Sequence, residues 1–189
     1  MYEEEVKQYF TAKRMAAKRV LGARGGRRMR YRPRDLPSNG EIHEALLELA
    51  RLEEGEMHEH RLFALRVTAL EIMEQLLPFT PRLIGSVSTG HVRRGSDMDI
   101  HVFVDDLEEL EQYLLQKGWP YEHKMVEIRR NNRFCEYHHI YFEYLFAVEL
   151  SVYDPNELRF TQRSSTDGKP IVRVKPERLR AMLREEHAD

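Results

Sequence analysis

Two aspartates, separated by one residue, begin a segment in which polar and apolar residues alternate. Asp97 and Asp99 fall in this segment, which predicts a strand over Asp97–Val104. Side chains two residues apart on a strand share a face and are about 6.6 Å apart along it. Two carboxylates at that separation repel each other unless a cation lies between them. Because Mg²⁺ and Mn²⁺ prefer hard oxygen ligands, the pair predicts a divalent metal site.

A Gly-Ser pair lies upstream of the aspartates and predicts a phosphate-binding turn. Gly85 and Ser86 follow a short predicted strand at residues 82–84, and ten residues separate Ser86 from Asp97. Glycine permits a tight turn and a close backbone approach. The N–H groups at the start of a short helix, together with the Ser86 hydroxyl, could then bind an anionic phosphate.

Further groups could contribute to binding a nucleotide. They are Arg93, Arg94, Ser96 and Lys169. Each arginine has a simpler interpretation as a surface charge, although loops often carry functional residues. The simpler interpretation of Lys169 is a position in the polar loop Ser164–Pro170. The sequence leaves both interpretations open.

The Gly-Ser pair, the ten-residue gap and Asp-Met-Asp-Ile-His on a strand resemble the polymerase-beta-type nucleotidyltransferase superfamily, in particular its minimal members. The core of the motif covers about residues 82–104, and a looser match continues to about residue 153. In that superfamily a third carboxylate lies on a later strand between apolar residues. Glu149 occupies the corresponding place here, although Asp is more usual, and Glu143 is the rival candidate.

The resemblance implies a nucleotidyltransferase-like fold and two divalent ions, Mg²⁺ or Mn²⁺, held by Asp97, Asp99 and Glu149. It also implies an enzyme that transfers a nucleoside monophosphate from a nucleoside triphosphate to an acceptor hydroxyl and releases pyrophosphate. The acceptor could be a small molecule, a protein or RNA. Glu149 would bind one ion or accept the proton of the acceptor hydroxyl. Gly85 and Ser86 would bind the terminal phosphates.

Two alternatives remain beside the enzyme. One is a catalytically weak module that binds a partner protein, as an antitoxin does. The other is a nucleic-acid-binding protein that uses the segment Lys13–Arg34, which holds ten Lys or Arg residues and no acidic residue. Such a basic arm can contact phosphates, or it can be a solvated tail. A partner protein or a homodimer is also compatible with the short chain.

Length and composition exclude several other classes. The 189 residues carry a net charge of −2, and no apolar run is long enough to predict a membrane-spanning helix. Cys135 is the single cysteine, so an internal disulfide and a cysteine-based metal site are excluded. The acidic N-terminus has no apolar run behind it and does not resemble a secretory signal. We therefore expect a cytoplasmic protein.

Helices dominate the first half of the sequence, and strands mixed with helices follow. This order predicts an α+β fold with a mixed or antiparallel sheet that helices cover on one side, preceded by an N-terminal helical extension. We expect the extension to occupy residues 1–37 and the nucleotidyltransferase-like domain residues 38–189. The predicted helices are Glu3–Leu21, a helix after an N-cap at Ser38 or Asn39, Met57–Leu77, Leu107–Gln116 and Pro176–Glu186. Two or three strands are predicted within Val126–Tyr153, with a bend near Phe146.

The histidines do not predict a metal site of their own. His58 and His60 are two residues apart on a predicted helix and do not share a face. His138 and His139 are adjacent on a strand and point in opposite directions. His101 continues the face of the two aspartates and could support their site.

Overall fold

The chain divides into two compact units. In this computed structural model, which describes residues 9–22, 36–130, 133–164 and 168–186, the first unit is Met1–Gly55 with Ser164–Lys169. The second is Glu56–Arg163 with Pro170–Asp189. The predicted domain boundary after residue 37 falls within the first unit and stays a prediction.

Two helices form the described part of the first unit, α1 (Tyr9–Gly22) and α2 (Asn39–Glu54). Ser38 caps α2 as predicted: its Oγ accepts a hydrogen bond from the Glu41 N–H, and the Glu41 carboxylate accepts one from the Ser38 N–H. This reciprocal pair is a capping box. The first eight residues of the chain and residues 23–34 of the basic arm lie outside the described residues, so the predicted helix start at Glu3 is not tested.

The described part of the second unit contains one sheet and four α-helices. The helices are α3 (Glu56–Gln75), α4 (Gly85–Thr89), α5 (Leu107–Gln116) and α6 (Pro176–Glu186). The strands are β1 (Arg82–Leu83), β2 (Met98–Phe103), β3 (Tyr121–Arg130), β4 (Arg133–Glu143) and β5 (Ala147–Tyr153). In the described part of the chain, no helix has the length and apolar character needed to cross a bilayer.

The five strands form one mixed sheet in the order β1-β2-β5-β4-β3. The central strands β2 and β5 are parallel, and the other neighbouring pairs are antiparallel. The predicted α+β class with a mixed sheet and covering helices is confirmed. The 43 residues between Phe103 and Ala147 contain α5 and the β3–β4 hairpin, so the central parallel pair joins strands that are far apart in sequence.

One face of the sheet packs against helices and forms the core. Alternate residues of β2 (Met98, Ile100 and Val102) are fully or almost fully buried there. They belong to the same cluster as the buried stripe of α3, which consists of Leu65, Ala69, Ile72 and Met73, and as Leu76, which directly follows the helix. This spacing places one side of a helix against the sheet. The side chains between the core residues of β2 therefore point to the opposite face.

Three predicted boundaries differ from those in the structure, by one to five residues. Helix α3 ends at Gln75, and a 3₁₀ turn over Leu77–Phe79 follows, because Pro78 has no N–H to continue the α-helical pattern. Strand β3 begins at Tyr121 and not near Val126. The prediction missed this start because the exposed edge-strand residues after Tyr121 do not alternate in hydrophobicity. Strand β2 begins at Met98, so Asp97 immediately precedes it.

Candidate functional site

Gly85 allows the turn after β1 to approach Asp99 closely. Its φ of +67° lies in the left-handed region that glycine adopts without steric cost. A Cβ at this position would overlap Asp99 Oδ2 and would lie 3.1 Å from Asp99 Cγ. The Ile84 N–H donates to the Asp99 carbonyl over 2.9 Å and fixes the turn against β2. Glycine is therefore required here for its backbone conformation and for its lack of a side chain.

Two side chains of α3 hold the short helix α4 that begins at Gly85. The guanidinium of Arg66, a buried residue, donates from Nε to the Val87 carbonyl over 3.1 Å and pairs through Nη1 with Glu186. The buried His58 ring places Nε2 3.2 Å from the Gly90 carbonyl. These contacts satisfy carbonyls at the end of α4, which would otherwise lack partners. The backbone that follows Gly85 is thus fixed from α3.

The strand register brings carboxylates together on the face opposite the core. Asp99 on β2 is paired with Glu149 on β5, and Glu149 is paired with Tyr141 on β4. We call Asp99, Glu149 and Tyr141 the acidic row. Asp97 is exposed and directly precedes β2, two residues before Asp99. The two aspartates and the predicted third carboxylate therefore occupy one end of one face.

Burial and neighbouring charge raise the pKa of Asp99 to about 7. Burial is the largest cause, and the charges of Glu149 and Asp97 follow, while His139 opposes the shift. A carboxyl in this position is protonated over most of the acidic range unless a cation compensates its charge. The acidic row is therefore a site where positive charge is strongly favoured.

Glu149 has a close partner in His139. His139 Nδ1 lies 2.7 Å from Glu149 Oε1, and His139 is buried. The Tyr141 hydroxyl is 3.5 Å from the same nitrogen. On the other face, His138 Nδ1 lies 2.8 Å from His123 Nε2. The prediction that His138 and His139 point in opposite directions is confirmed.

A second row crosses the same three strands on the same face, two residues away along each strand. It consists of His101, Ser151 and His139, which are all buried. His101 Nδ1 accepts a hydrogen bond from Arg173 Nε over 3.3 Å. Burial, then the charges of Arg173 and His139, lowers the pKa of His101 to about 3, so its ring is neutral. The described hydrogen bond of His101 thus goes to Arg173 and not to the aspartates that it was predicted to support.

The far end of this face is aromatic. Phe103, Tyr137 and Tyr153 form a small buried cluster, which we call the aromatic end. The Arg173 guanidinium carbon lies 5.0 Å from the centre of the Phe103 ring and 5.9 Å from that of Tyr153. Arg173 Nη1 donates to the backbone carbonyls of Glu157, Leu158 and Phe160. This arginine holds the chain after β5 against the sheet.

The other predicted nucleotide ligands lie in loops. Ser96 Oγ accepts a hydrogen bond from the Arg93 N–H over 2.8 Å, so this hydroxyl closes the turn that carries the exposed Arg94. The Lys169 carbonyl accepts from the Ser164 N–H over 2.9 Å, and both belong to the first unit. A role in nucleotide binding stays a prediction for Arg94, Ser96 and Lys169.

The rival third carboxylate, Glu143, is exposed and paired with Ala147 where β4 ends. It is not among the charges that raise the pKa of Asp99. Across the described ranges, no three His, Cys, Asp or Glu side chains are arranged as a metal centre. Metal binding by the aspartates and Glu149 stays a prediction.

Sequence reasoning missed three residues that organise the site: His139 and Arg173 on the polar face of the sheet, and Arg66, which holds α4. The contacts of His139 and Arg173 depend on the order of the strands, which local patterns do not encode. Arg66 did carry a signal, because it lies next to Leu65 and one turn before Ala69 on the buried stripe of α3. A charged residue in such a stripe indicates a paired, structural side chain.

No protein-family model matches the chain, and no curated protein matches it. It is similar to solved structures of RNA terminal uridylyltransferases. One is a cytoplasmic RNA terminal U-transferase, with 21% identity, a TM-score of 0.31, and coverage of 62% of this chain and 35% of that one. Cid1 in complex with the UTP analogue UMPNPP has 20% identity, a TM-score of 0.29, and coverage of 64% and 36%.

A second Cid1 structure, described as an RNA terminal uridylyl transferase, has 16% identity and a TM-score of 0.29, with coverage of 63% and 37%. The chain thus spans little more than a third of each of these proteins. Since the structural overlap is partial, the case for function rests on the geometry of the acidic row.

Proposed function

We propose that this chain is a nucleotidyltransferase that transfers a nucleoside monophosphate from a nucleoside triphosphate to an acceptor hydroxyl. The observation that carries the proposal is the convergence of Gly85, Asp99 and Glu149. A glycine without room for a Cβ lies against one carboxylate, and the sheet register sets a second carboxylate beside it. A fold that only needed stability would place apolar residues at such half-buried positions.

The donor set fits a hard divalent cation. Asp97, Asp99 and Glu149 supply only carboxylate oxygens, which hard cations prefer. Burial and the charges of Glu149 and Asp97 raise the pKa of Asp99, and a bound cation would compensate this negative charge. We assign the two proposed ions, Mg²⁺ or Mn²⁺, to Asp97 and Asp99, with Glu149 as a ligand of one ion or as the acceptor of the hydroxyl proton. Bound there, the ions would neutralise the triphosphate and polarise the phosphorus that is attacked.

The transfer forms one bond and breaks another at the same phosphorus. The acceptor oxygen bonds to the α-phosphorus, the bond from that phosphorus to the bridging oxygen of the β-phosphate breaks, and pyrophosphate leaves. The hydroxyl proton passes to a carboxylate oxygen, for which Glu149 is the better candidate. Its Oε1 is already held by His139, which leaves Oε2 for the proton.

The turn at Gly85 and Ser86 is the proposed site for the terminal phosphates. Asp99 and this turn approach each other so closely that a phosphate bound at the turn would lie beside the acidic row. Arg94 and Ser96 in the following loop are proposed to add contacts, because backbone and arginine donors suit phosphate oxygens. Lys169 is proposed for the same role from its charge alone.

Ligand-dependent thermal stability tests the proposal. A ligand that binds the folded state raises the melting temperature by mass action. Wild type and Asp97→Asn/Asp99→Asn should be melted with each of ATP, GTP, CTP and UTP, with and without Mg²⁺ or Mn²⁺. We expect a metal-dependent rise with at least one triphosphate, absent in the double variant. Glu143→Gln is the matched control, since it removes a carboxylate outside the acidic row.

A wild type that shows no rise with any triphosphate would contradict the proposal and favour the partner-binding module. A rise that the double variant retains would place nucleotide binding elsewhere. Binding of polyanions that persists in the double variant and collapses with salt would instead support a nucleic-acid-binding role of the basic arm.

A further inference from the structure

His139 is the one close partner of Glu149 among the described contacts, and its ring is buried. The ring is 6% exposed, and its Nδ1 lies 2.7 Å from Glu149 Oε1. His139 lies two residues from Tyr141 on β4, and the register pairs Tyr141 with Glu149. The ring therefore meets the carboxylate diagonally across two neighbouring strands, from within the sheet face and not from a mobile loop.

The hydrogen atom of this contact must be on the histidine. An ionised carboxylate can only accept a hydrogen bond, so His139 donates from Nδ1. The other ring nitrogen, Nε2, is buried and has no hydrogen-bond partner in the described part of the chain. A proton on Nε2 would leave a buried N–H unsatisfied, which is costly. The geometry thus places a hydrogen on Nδ1.

We propose that His139 is a positioning residue for the transfer, which donates from Nδ1 to hold the Glu149 carboxylate beside Asp99. This inference rests on the proposed function. Glu149 has a flexible side chain, and its carboxylate can contribute to the reaction only while it faces the acidic row. A fixed donor removes that freedom before substrate binds, and loss of such a supporting hydrogen bond reduces activity by about 10- to 100-fold.

Neighbouring groups are poor substitutes for His139. Among the described contacts, the Tyr141 hydroxyl approaches His139 Nδ1, at 3.5 Å, and makes no hydrogen bond to Glu149. Lys124 lies with its Nζ 5.2 Å from the centre of the Tyr141 ring and pairs with Glu122. Arg173 is engaged by His101 and by backbone carbonyls. Removal of the imidazole should therefore release Glu149.

The test compares His139→Asn, whose amide nitrogen can occupy the place of Nδ1 and donate, with His139→Leu, which cannot. The matched controls are His138→Asn and His138→Leu on the opposite face. Pyrophosphate release would be measured with Mn²⁺, the triphosphate that stabilises wild type, and pooled cellular RNA and metabolites as acceptors. We expect kcat to fall about 10- to 100-fold in His139→Leu, with little change in KM for the triphosphate and substantial retention in His139→Asn.

A long-range ¹⁵N–¹H correlation spectrum of the imidazole rings adds a readout that needs no turnover. The His139 signal, assigned by its loss in His139→Asn, should show the hydrogen on Nδ1 in wild type and should change in Glu149→Ala. A hydrogen on Nε2 with none on Nδ1, or equal kcat values for His139→Leu and wild type, would overturn the inference while leaving the proposed function intact. A wild type without triphosphate binding or turnover would overturn both.

Discussion

The acidic row and the aromatic end lie on the same face of the same sheet, but the charged groups have opposite surroundings in the two regions. At the aromatic end, Arg173 donates to three backbone carbonyls and lies over the Phe103 and Tyr153 rings. At the acidic row, Asp99 is surrounded by two further carboxylates, and its pKa rises to about 7. Charge with satisfied partners stabilises a fold, whereas charge held among like charges lowers stability. The second arrangement is typical of functional sites and supports the proposed role of the acidic row.

The largest effect should come from the aromatic end. Arg173→Met removes four hydrogen bonds, three to backbone carbonyls of the chain after β5 and one to His101. We expect the free energy of unfolding to fall by roughly 3 kcal/mol, measured by urea denaturation, while the metal-dependent rise with triphosphate persists. A loss below about 1 kcal/mol would show that the two ends do not differ as described.

Asp99→Asn should have the opposite sign. The pKa rise from 3.8 to about 7 places a penalty on the order of 4 kcal/mol on the ionised form, at about 1.4 kcal/mol per pKa unit. An amide removes the charge but stays polar, so we expect the metal-free protein to gain roughly 2 kcal/mol at neutral pH. The triphosphate-dependent rise should be lost in the same variant. A destabilised variant would mean that the carboxylate has a structural partner.

The pH dependence of stability follows from the same group. Its pKa is higher in the folded than in the unfolded chain, so the folded state binds the proton more tightly. The favourable contribution is complete below about pH 4 and is lost as the pH rises to about 7. Without metal, the melting temperature of wild type should therefore fall relative to that of Asp99→Asn across this range. Parallel curves would contradict the assigned pKa.

Two glycine substitutions separate backbone conformation from close approach. Gly85 and Gly118 have φ values of +67° and +72°, but a Cβ at Gly118 would meet no atom within 4 Å. Both changes to Ala carry the left-handed penalty of about 1–2 kcal/mol. Gly85→Ala must also displace Asp99, so we expect denaturation to show a further loss of about 1 kcal/mol and no nucleotide-dependent rise. Equal behaviour of the two variants would argue against the close approach.

Glu143→Gln should have the smallest effect. Its side chain is exposed and does not contribute to the pKa shift of Asp99. We expect a change in unfolding free energy within about 0.5 kcal/mol and an unchanged rise in melting temperature with triphosphate and metal. If Glu143→Gln abolished that rise and Glu149→Gln did not, the third carboxylate would be Glu143.

Local patterns predicted the parts of this face that lie within a single strand or turn. Asp99 was proposed because it is a carboxylate in an alternating strand, and Gly85 because glycine after a strand permits a close turn. Glu149 was proposed from the superfamily resemblance, which implies a third carboxylate between apolar residues of a later strand. The closing helix Pro176–Glu186 and the helix Leu107–Gln116 were predicted with their observed bounds, which are confirmed. In these cases the deciding interactions are between residues near in sequence.

The missed contacts join residues far apart in sequence. His139 meets Glu149 only because β4 lies beside β5, and Arg173 meets His101 only because the chain after β5 returns to β1 through the bridge between Leu83 and Val174. Alternation within a strand assigns a face but not a neighbour. The strand order, and with it the partner of each buried charge, required the structure.

The central claim is that the acidic row supports transfer of a nucleoside monophosphate. The most direct measurement incubates the protein with Mn²⁺, pooled cellular RNA and metabolites, and triphosphate labelled in parallel samples at the α- or the γ-phosphate. The account predicts that the α-label moves to an acceptor while the γ-label leaves as pyrophosphate, and that Asp99→Asn abolishes both. Transfer of the γ-label to an acceptor, or movement of neither label by a protein that binds the triphosphate, would contradict it.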